Sequence, residues 1–294
     1  MKWLEVSLTL SGELAEPAAD ILTKYAPGGV ALAPIHPDAP SLVKVLAYLP
    51  EAEELPNIQR ALEHDLWFLS RIKAFSPTPS YRWLEEEDWA ETWKAHYGPL
   101  AVGHRILIQP AWLDPVTTER IVIRLDPGMA FGSGTHPSTQ LSLIALEEAV
   151  QPGDLVADLG SGSGILSIAA VQLGAGRVLA YDIDTLAVEI TQANAQANHV
   201  DQRITAQHGT LDELLGYVDD HPAPRLIVAN ILAPVLSEML SAGLSKAISK
   251  PGAVILAGIL ETQAQEIFDS ATAAGLSLEQ TYHQDDWVAL RYSN

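Results

Sequence analysis

Residues Val156-Ala157-Asp158-Leu159-Gly160-Ser161-Gly162-Ser163-Gly164-Ile165-Leu166 constrain this chain more than any other stretch. An apolar run with the length of a buried strand passes directly into a glycine-rich turn and out into an apolar helical pattern. Glycines in such a turn let backbone approach a ligand with no side chain between them. The dinucleotide-binding fingerprint needs its third glycine one place later, where Ile165 stands, so a nicotinamide-dependent oxidoreductase is disfavoured. A strand that feeds a helix through a tight turn is the building unit of a parallel sheet, and it predicts a doubly wound, Rossmann-like α/β fold.

The pattern from residue 99 to 294 agrees. Strands are predicted at 104–109, 120–125, 154–159, 177–182, 203–208, 225–230, 252–258, 277–283 and 286–292, with helices at 137–150, 164–174, 185–198, 233–249 and 261–274. Residues 1–80 follow another order. Leu4, Val6, Leu8 and Leu10 alternate with polar residues as a half-buried strand does. A helix at 14–26, strands near 29–35 and 42–49, a helix capped by Asn57 and a last strand near 73–81 complete a small ferredoxin-like α+β domain. Between the two, residues 81–98 read as a linker helix. Its acidic start suits the positive end of a helix dipole, and Trp89, Trp93 and Tyr97 recur every fourth residue as an aromatic stripe.

Three further segments carry polar groups to one end of the predicted sheet. Asp182 closes the strand after the glycine turn, where a carboxylate can accept both ribose hydroxyls, while Asp184 has the place of a helix cap. The run from Asp126 to Thr139 holds three glycines and short hydroxyls just before a helix and has the character of a lid over a bound cofactor. Within it, Phe131, Thr135 and Thr139 are candidate contacts, and His136, which precedes a proline, suits the end of the loop. Finally, Leu226-Ile227-Val228-Ala229-Asn230 is an apolar strand that ends in a side-chain amide at the carboxyl edge, where open α/β sheets bind ligands. The Gly-x-Gly-x-Gly spacing is the pattern of S-adenosylmethionine-dependent methyltransferases, and an uncharged acceptor at Asn230 suits those that act on nitrogen.

Taken together, the Asp126 to Thr139 run, the Asp158 to Leu166 turn, Asp182-Ile183-Asp184, Asn230-Ile231-Leu232-Ala233, the acidic tryptophan-rich arm and Asp286-Trp287 resemble the bacterial ribosomal protein L-eleven methyltransferases, the PrmA family. The resemblance implies a cofactor, S-adenosyl-L-methionine, held by Thr139, Gly160, Gly162, Gly164, Asp182 and Asn230 with Phe131 and Thr135. It implies transfer of methyl groups to the α-amine and lysine ε-amines of ribosomal protein L-eleven, with Asn230 as the catalytic acceptor. The small amino-terminal domain would recognise the substrate, and the linker would swing it. Ser161 stands where the family pattern has cysteine, and Ser133 where threonine is commoner.

Composition narrows the partners. Seventeen Lys and Arg against thirty-seven Asp and Glu leave a formal charge of −20, most of it beyond residue 99, which repels nucleic acid and anionic membranes and favours a basic protein. The chain has no cysteine, so disulfides and thiolate metal sites are excluded, and no metal site is predicted. No signal peptide or long apolar span is visible; a cytoplasmic monomer is the expectation. Two rivals remain on sequence grounds, a methyltransferase for another nitrogen and a non-catalytic ribosome-assembly factor. Against the first, Asn230 lacks the following Pro-Pro-aromatic residues that meet planar amides and bases.

Overall fold

The computed structural model describes residues 2–26, 30–34, 42–51, 55–72, 75–76, 78–85, 98–125 and 134–294. The chain divides into two compact units, Met1–Gly98 and Pro99–Asn294.

In the first unit, strand β1 (Lys2–Ser11), helix α1 (Gly12–Thr23), strands β2 (Val30–Pro34) and β3 (Leu42–Pro50), helix α2 (Leu55–Ile72) and strand β4 (Ser80–Glu85) form an antiparallel sheet in the order β2-β3-β1-β4. That is the ferredoxin-like arrangement. Alternation along β1 puts Leu4, Val6, Leu8 and Leu10 into a core shared with Leu14, Ala18 and Leu22 of α1 and Leu62 and Leu66 of α2. Two details differ from the expectation. Helix α2 starts before Asn57, with Pro56 in its first turn, and Asn57 accepts from Arg60 Nη2 (2.7 Å) instead of capping. Proline suits a first helical turn because its missing N–H would be unpaired there anyway. The last strand lies later than expected, so residues 81–85, expected to start the linker helix, are strand. Pairing with β1 (Lys2↔Glu85 through Ser7↔Ser80) overrides the local acidic signal. The remainder of the expected linker helix, with Trp89, Trp93 and Tyr97, falls outside the described residues.

The second unit opens with a small sheet of β5 (Leu100–Val102), β6 (Ile106–Pro110) and β7 (Ile121–Leu125). Helix α3 (Pro137–Ala149) follows. Then come β8 (Leu155–Leu159), α4 (Ile165–Leu173), β9 (Arg177–Asp182), α5 (Thr185–Ala197), β10 (Ile204–His208), α6 (Leu211–Asp220), β11 (Leu226–Asn230), α7 (Ala233–Ala242), β12 (Ala253–Leu260), α8 (Ala264–Ala273) and the hairpin β13 (Ser277–Gln284) and β14 (Trp287–Ser293). Seven strands join in the order β10-β9-β8-β11-β12-β14-β13; the first five are parallel and β14 runs against its neighbours. Successive side chains on these strands go to opposite cores. Val156, Val228 and Ile255 meet α3 and α4, whereas Ala157, Ile227 and Val254 meet the layer of α6, α7 and α8. Helix α7 is shorter than predicted, because Gly243 adopts φ 111° and closes it. At the amino end of the sheet Arg225 holds Asp154 through two bonds of 2.6 Å, tying β11 to β8.

Strand order reverses between β8 and β11. In an open α/β sheet the crevice at such a point, outside the carboxyl ends, is where ligands bind. Gly160 follows β8 and Asn230 ends β11, so the chain brings its two strongest sequence signals to that crevice.

Candidate active site

The turn after β8 is built to stay open. Gly160 has φ 80°, and the N–H groups of Gly160 and Ser161 both donate to Tyr181 O (2.9 and 3.0 Å), tying the turn to β9. A Cβ on Gly160 would lie 2.4 Å from Ile231 Cγ2, so no side chain fits. Gly162 donates its N–H to Asp182 Oδ2 (2.8 Å), which makes it the clamp that orients this carboxylate. Gly164 has φ 79°, and a Cβ there would sit 3.1 Å from Thr191 Cα, so it has a packing reason independent of any ligand: close approach of α5. Helix α5 also supports the turn with two buried side chains that the sequence does not single out. Ser161 Oγ and Thr191 Oγ1 are 3.1 Å apart, and Asn194 Nδ2 donates to Ser163 O (2.8 Å). Their signal is a pair of polar residues three apart on one helix.

Asp182 ends β9 with its second oxygen accepting from Asp184 N (2.9 Å). Asp184 caps α5 through Leu186 N (2.9 Å), which is the helix-cap role. A carboxylate fixed by two backbone donors keeps lone pairs for a vicinal diol. Asp182→Ala is expected to weaken cofactor binding by about 10- to 100-fold, the range of one or two charged hydrogen bonds; unchanged affinity by titration calorimetry refutes the assignment.

On the α3 side, Thr139 is 3% exposed, and its Oγ1 accepts from Asn230 Nδ2 at 3.2 Å across 91 residues of sequence. This bond turns the amide so that Oδ1 is left to accept, and among the described residues no donor reaches it. His136 caps α3: Ser138 N donates to its Nδ1 (3.2 Å), and its ring meets Trp287 edge-on at 4.6 Å. Partial desolvation draws the imidazole below its ordinary pKa of 6.5, although the residue keeps an exposed face. Thr135 is exposed on the approach to α3, its carbonyl accepting from Gln140 Nε2 (2.8 Å). Phe131 lies outside the described residues.

Asp158, fully buried beneath the turn, stands opposite Val228 in the β8–β11 pairing, on the same face as Asn230. Ser167 Oγ donates to its Oδ2 (2.6 Å), while Oδ1 is enclosed and receives no donor from the described residues. Burial pushes the carboxyl from 3.8 up to about 6, with the Ser167 bond opposing and the Asp182 charge adding. The native state therefore holds the proton to higher pH than the unfolded chain. Stability falls as pH rises from about 4 to 6, and the ionised form costs about 3 kcal/mol above that range.

Glycines that leave no room for side chains, a carboxylate aimed by backbone donors and an oriented neutral amide line a crevice whose chemistry suits S-adenosylmethionine. Gly160 would meet its amino-acid end, Asp182 its ribose and Asn230 the side of the methyl group. Among the described residues no helix is long and apolar enough to cross a membrane.

Comparison with known proteins agrees with this geometry. The sequence profile described as "Ribosomal protein L11 methyltransferase (PrmA)" matches residues 2–294. The ribosomal protein L11 methyltransferase of Anoxybacillus flavithermus is 36% identical over 98% of this chain and 98% of its own length, and that of Chloroflexus aurantiacus is 36% identical over 98% and 97%. Among solved structures, the ribosomal protein L11 methylase of Lactobacillus delbrueckii subsp. bulgaricus aligns with TM-score 0.58 and 34% identity, covering 67% of this chain and 98% of that one. With a profile spanning nearly every residue and relatives matched end to end, the chain belongs to the ribosomal protein L11 methyltransferase (PrmA) family of S-adenosylmethionine-dependent enzymes.

Proposed function

We propose that this enzyme methylates the α-amine and lysine ε-amines of ribosomal protein L11, with Asn230 receiving the amine and Gly160, Asp182 and Thr139 forming the cofactor site. The observation that carries the reading is the orientation of Asn230, one of whose amide N–H groups donates to Thr139 while its oxygen is left at the crevice. When bound, S-adenosylmethionine supplies a methyl group on a positively charged sulfur, open to in-line attack.

An amine attacks only after losing its proton. At pH 7 that costs about 4–5 kcal/mol for a lysine and about 1 kcal/mol for an α-amine. A carboxylate beside the amine would stabilise its cation and increase the cost, whereas a neutral carbonyl can accept an N–H and aim the lone pair without doing so. Asn230 is such a group. No described residue is assigned as general base, and His136 is engaged at Nδ1 as the helix cap, so orientation supplies much of the acceleration.

The formal charge of −20 suits a basic ribosomal protein, with an association rate that falls as salt rises. Residues 1–80, completed by the rest of β4 within the unit Met1–Gly98, recognise the protein. We read the enzyme as a cytoplasmic monomer whose main ligands include no nucleic acid.

Mass spectrometry of purified L11, incubated with the enzyme and S-adenosylmethionine, is expected to place added methyl groups on its amino terminus and lysines. The fragment Pro99–Asn294 should bind cofactor and leave L11 unlabelled. Methylation of another nitrogen alone, or full L11 activity in the fragment, defeats the corresponding part of this reading.

A further inference from the structure

The glycine turn, Asp182 and Asn230 have partners or ligands to explain them. Asp158 does not. A fully buried carboxyl is ordinarily paired with a cation or saturated with donors, yet here one oxygen has only Ser167 and the other has no described donor. Among the described residues the surroundings offer no compensating charge. Helix α4 presents Ser167 and carries no ionisable side chain, β11 presents Val228 and the neutral Asn230, and the start of α3 presents Thr139. From β9 comes Asp182, a second acid, which opposes ionisation. Asp158 and Asp182 thus share one face at the carboxyl end of the sheet with no basic residue beside them among the described residues, which leaves the counter-charge to a ligand of the crevice.

The methyl donor brings a sulfonium and an ammonium, whereas the product left after transfer is a neutral thioether that retains only the ammonium. We infer that Asp158 is the proton-linked counter-charge of this crevice: in mildly acidic solution it is protonated when the crevice is empty or holds the thioether and ionised when it holds the sulfonium. Donor binding then sends the Asp158 proton to solvent, and the free energy of that exchange favours donor over product. The sign follows from linkage. Below about pH 6 the free protein carries the proton, so each donor bound expels up to one, and donor affinity rises by up to tenfold per pH unit. Well above pH 6 the carboxyl is already ionised and the slope vanishes. Product affinity should change little over the same range.

This rests on the cofactor pocket alone and not on which amine is methylated. The test is titration calorimetry of the intact enzyme with S-adenosylmethionine and with S-adenosylhomocysteine at pH 5.0–8.0, each in two buffers of different protonation enthalpy so that released protons are counted. The wild type is expected to release close to one proton per donor near pH 5 and far fewer per thioether. Asp158→Asn, nearly isosteric, should release none, show a donor-to-product affinity ratio independent of pH and melt at higher temperature near neutrality. Ser167→Ala removes the bond that favours the ionised form, so its inflection should move to higher pH. Equal proton release by wild type and Asp158→Asn, equal release for both ligands, or an unmoved inflection in Ser167→Ala overturns the inference. Failure of either ligand to bind the wild type overturns the pocket reading itself.

Discussion

Replacing Gly160 by alanine is expected to weaken S-adenosylmethionine binding by roughly 30-fold to more than 1,000-fold. Two separate effects add. At φ 80° an L side chain brings its Cβ against the following carbonyl, at about 1–2 kcal/mol. The new methyl also meets Ile231 Cγ2 at 2.4 Å, and that atom cannot swing aside, because it sits on the branched carbon of a side chain with one favoured rotamer. Overpacking of this kind costs about 1–3 kcal/mol. Ile231 is itself held by its N–H bond to Ala257 O (3.2 Å), so the strain falls on the turn that would carry the cofactor. Gly153→Ala is the control. Gly153 has φ 86°, and nothing lies within 4 Å of the place its methyl would take, so alanine there should lower stability by about 1–2 kcal/mol and leave cofactor affinity unchanged. Adding Ile231→Ala to Gly160→Ala should recover the steric part and leave the backbone part, a cycle readable by calorimetry and thermal melting. Equal affinity of Gly160→Ala and wild type would remove the turn from the cofactor site.

What the sequence displays well is whatever is encoded within a few residues. Strand β9 has its predicted limits because Arg177 to Asp182 form an apolar run bounded by Gly176 and a carboxylate. Helix α6 escapes the sequence pattern, since ten residues containing Gly216 look like a loop; its start is nevertheless marked by Thr210 and Glu213, whose side chains form a capping box. Strand β4 is displaced from its expected place because its identity lies in the partner strand, 73 to 83 residues earlier, and not in its own acidic sequence. At the site, the candidates are legible as residue types at strand ends, but their relations are not. Nothing local to Asn230 indicates that Thr139 fixes its amide, nor do the neighbours of Asp158 in sequence show that one oxygen lacks a donor, because both facts depend on which helix covers which face of the sheet.

The amide is where geometry and rate should meet most directly. Asn230→Ala is expected to lower kcat by about 10²- to 10³-fold, the range measured for loss of one preorganised polar group at a reacting centre, while cofactor affinity falls by much less. The asymmetry follows from the Thr139 bond: one N–H of Nδ2 is held within the protein and fixes the amide, and Oδ1 is what the alanine variant takes from the incoming amine. Thr139→Val deletes the acceptor that sets the orientation, so the amide can rotate and present a donor to an amine that needs an acceptor; Thr139→Ser preserves it and should retain most of the rate. Asn230→Asp separates charge from shape. A carboxylate at this place stabilises the ammonium form and raises the amine's pKa, so less neutral nucleophile exists at a given pH. Its rate should therefore recover only at higher pH, moving the rising limb of the pH–rate profile in the alkaline direction relative to wild type. An Asn230→Asp profile that coincides with the wild type, or equal losses of cofactor affinity and turnover in Asn230→Ala, would take the amine away from Asn230 and leave the amide as a cofactor ligand alone.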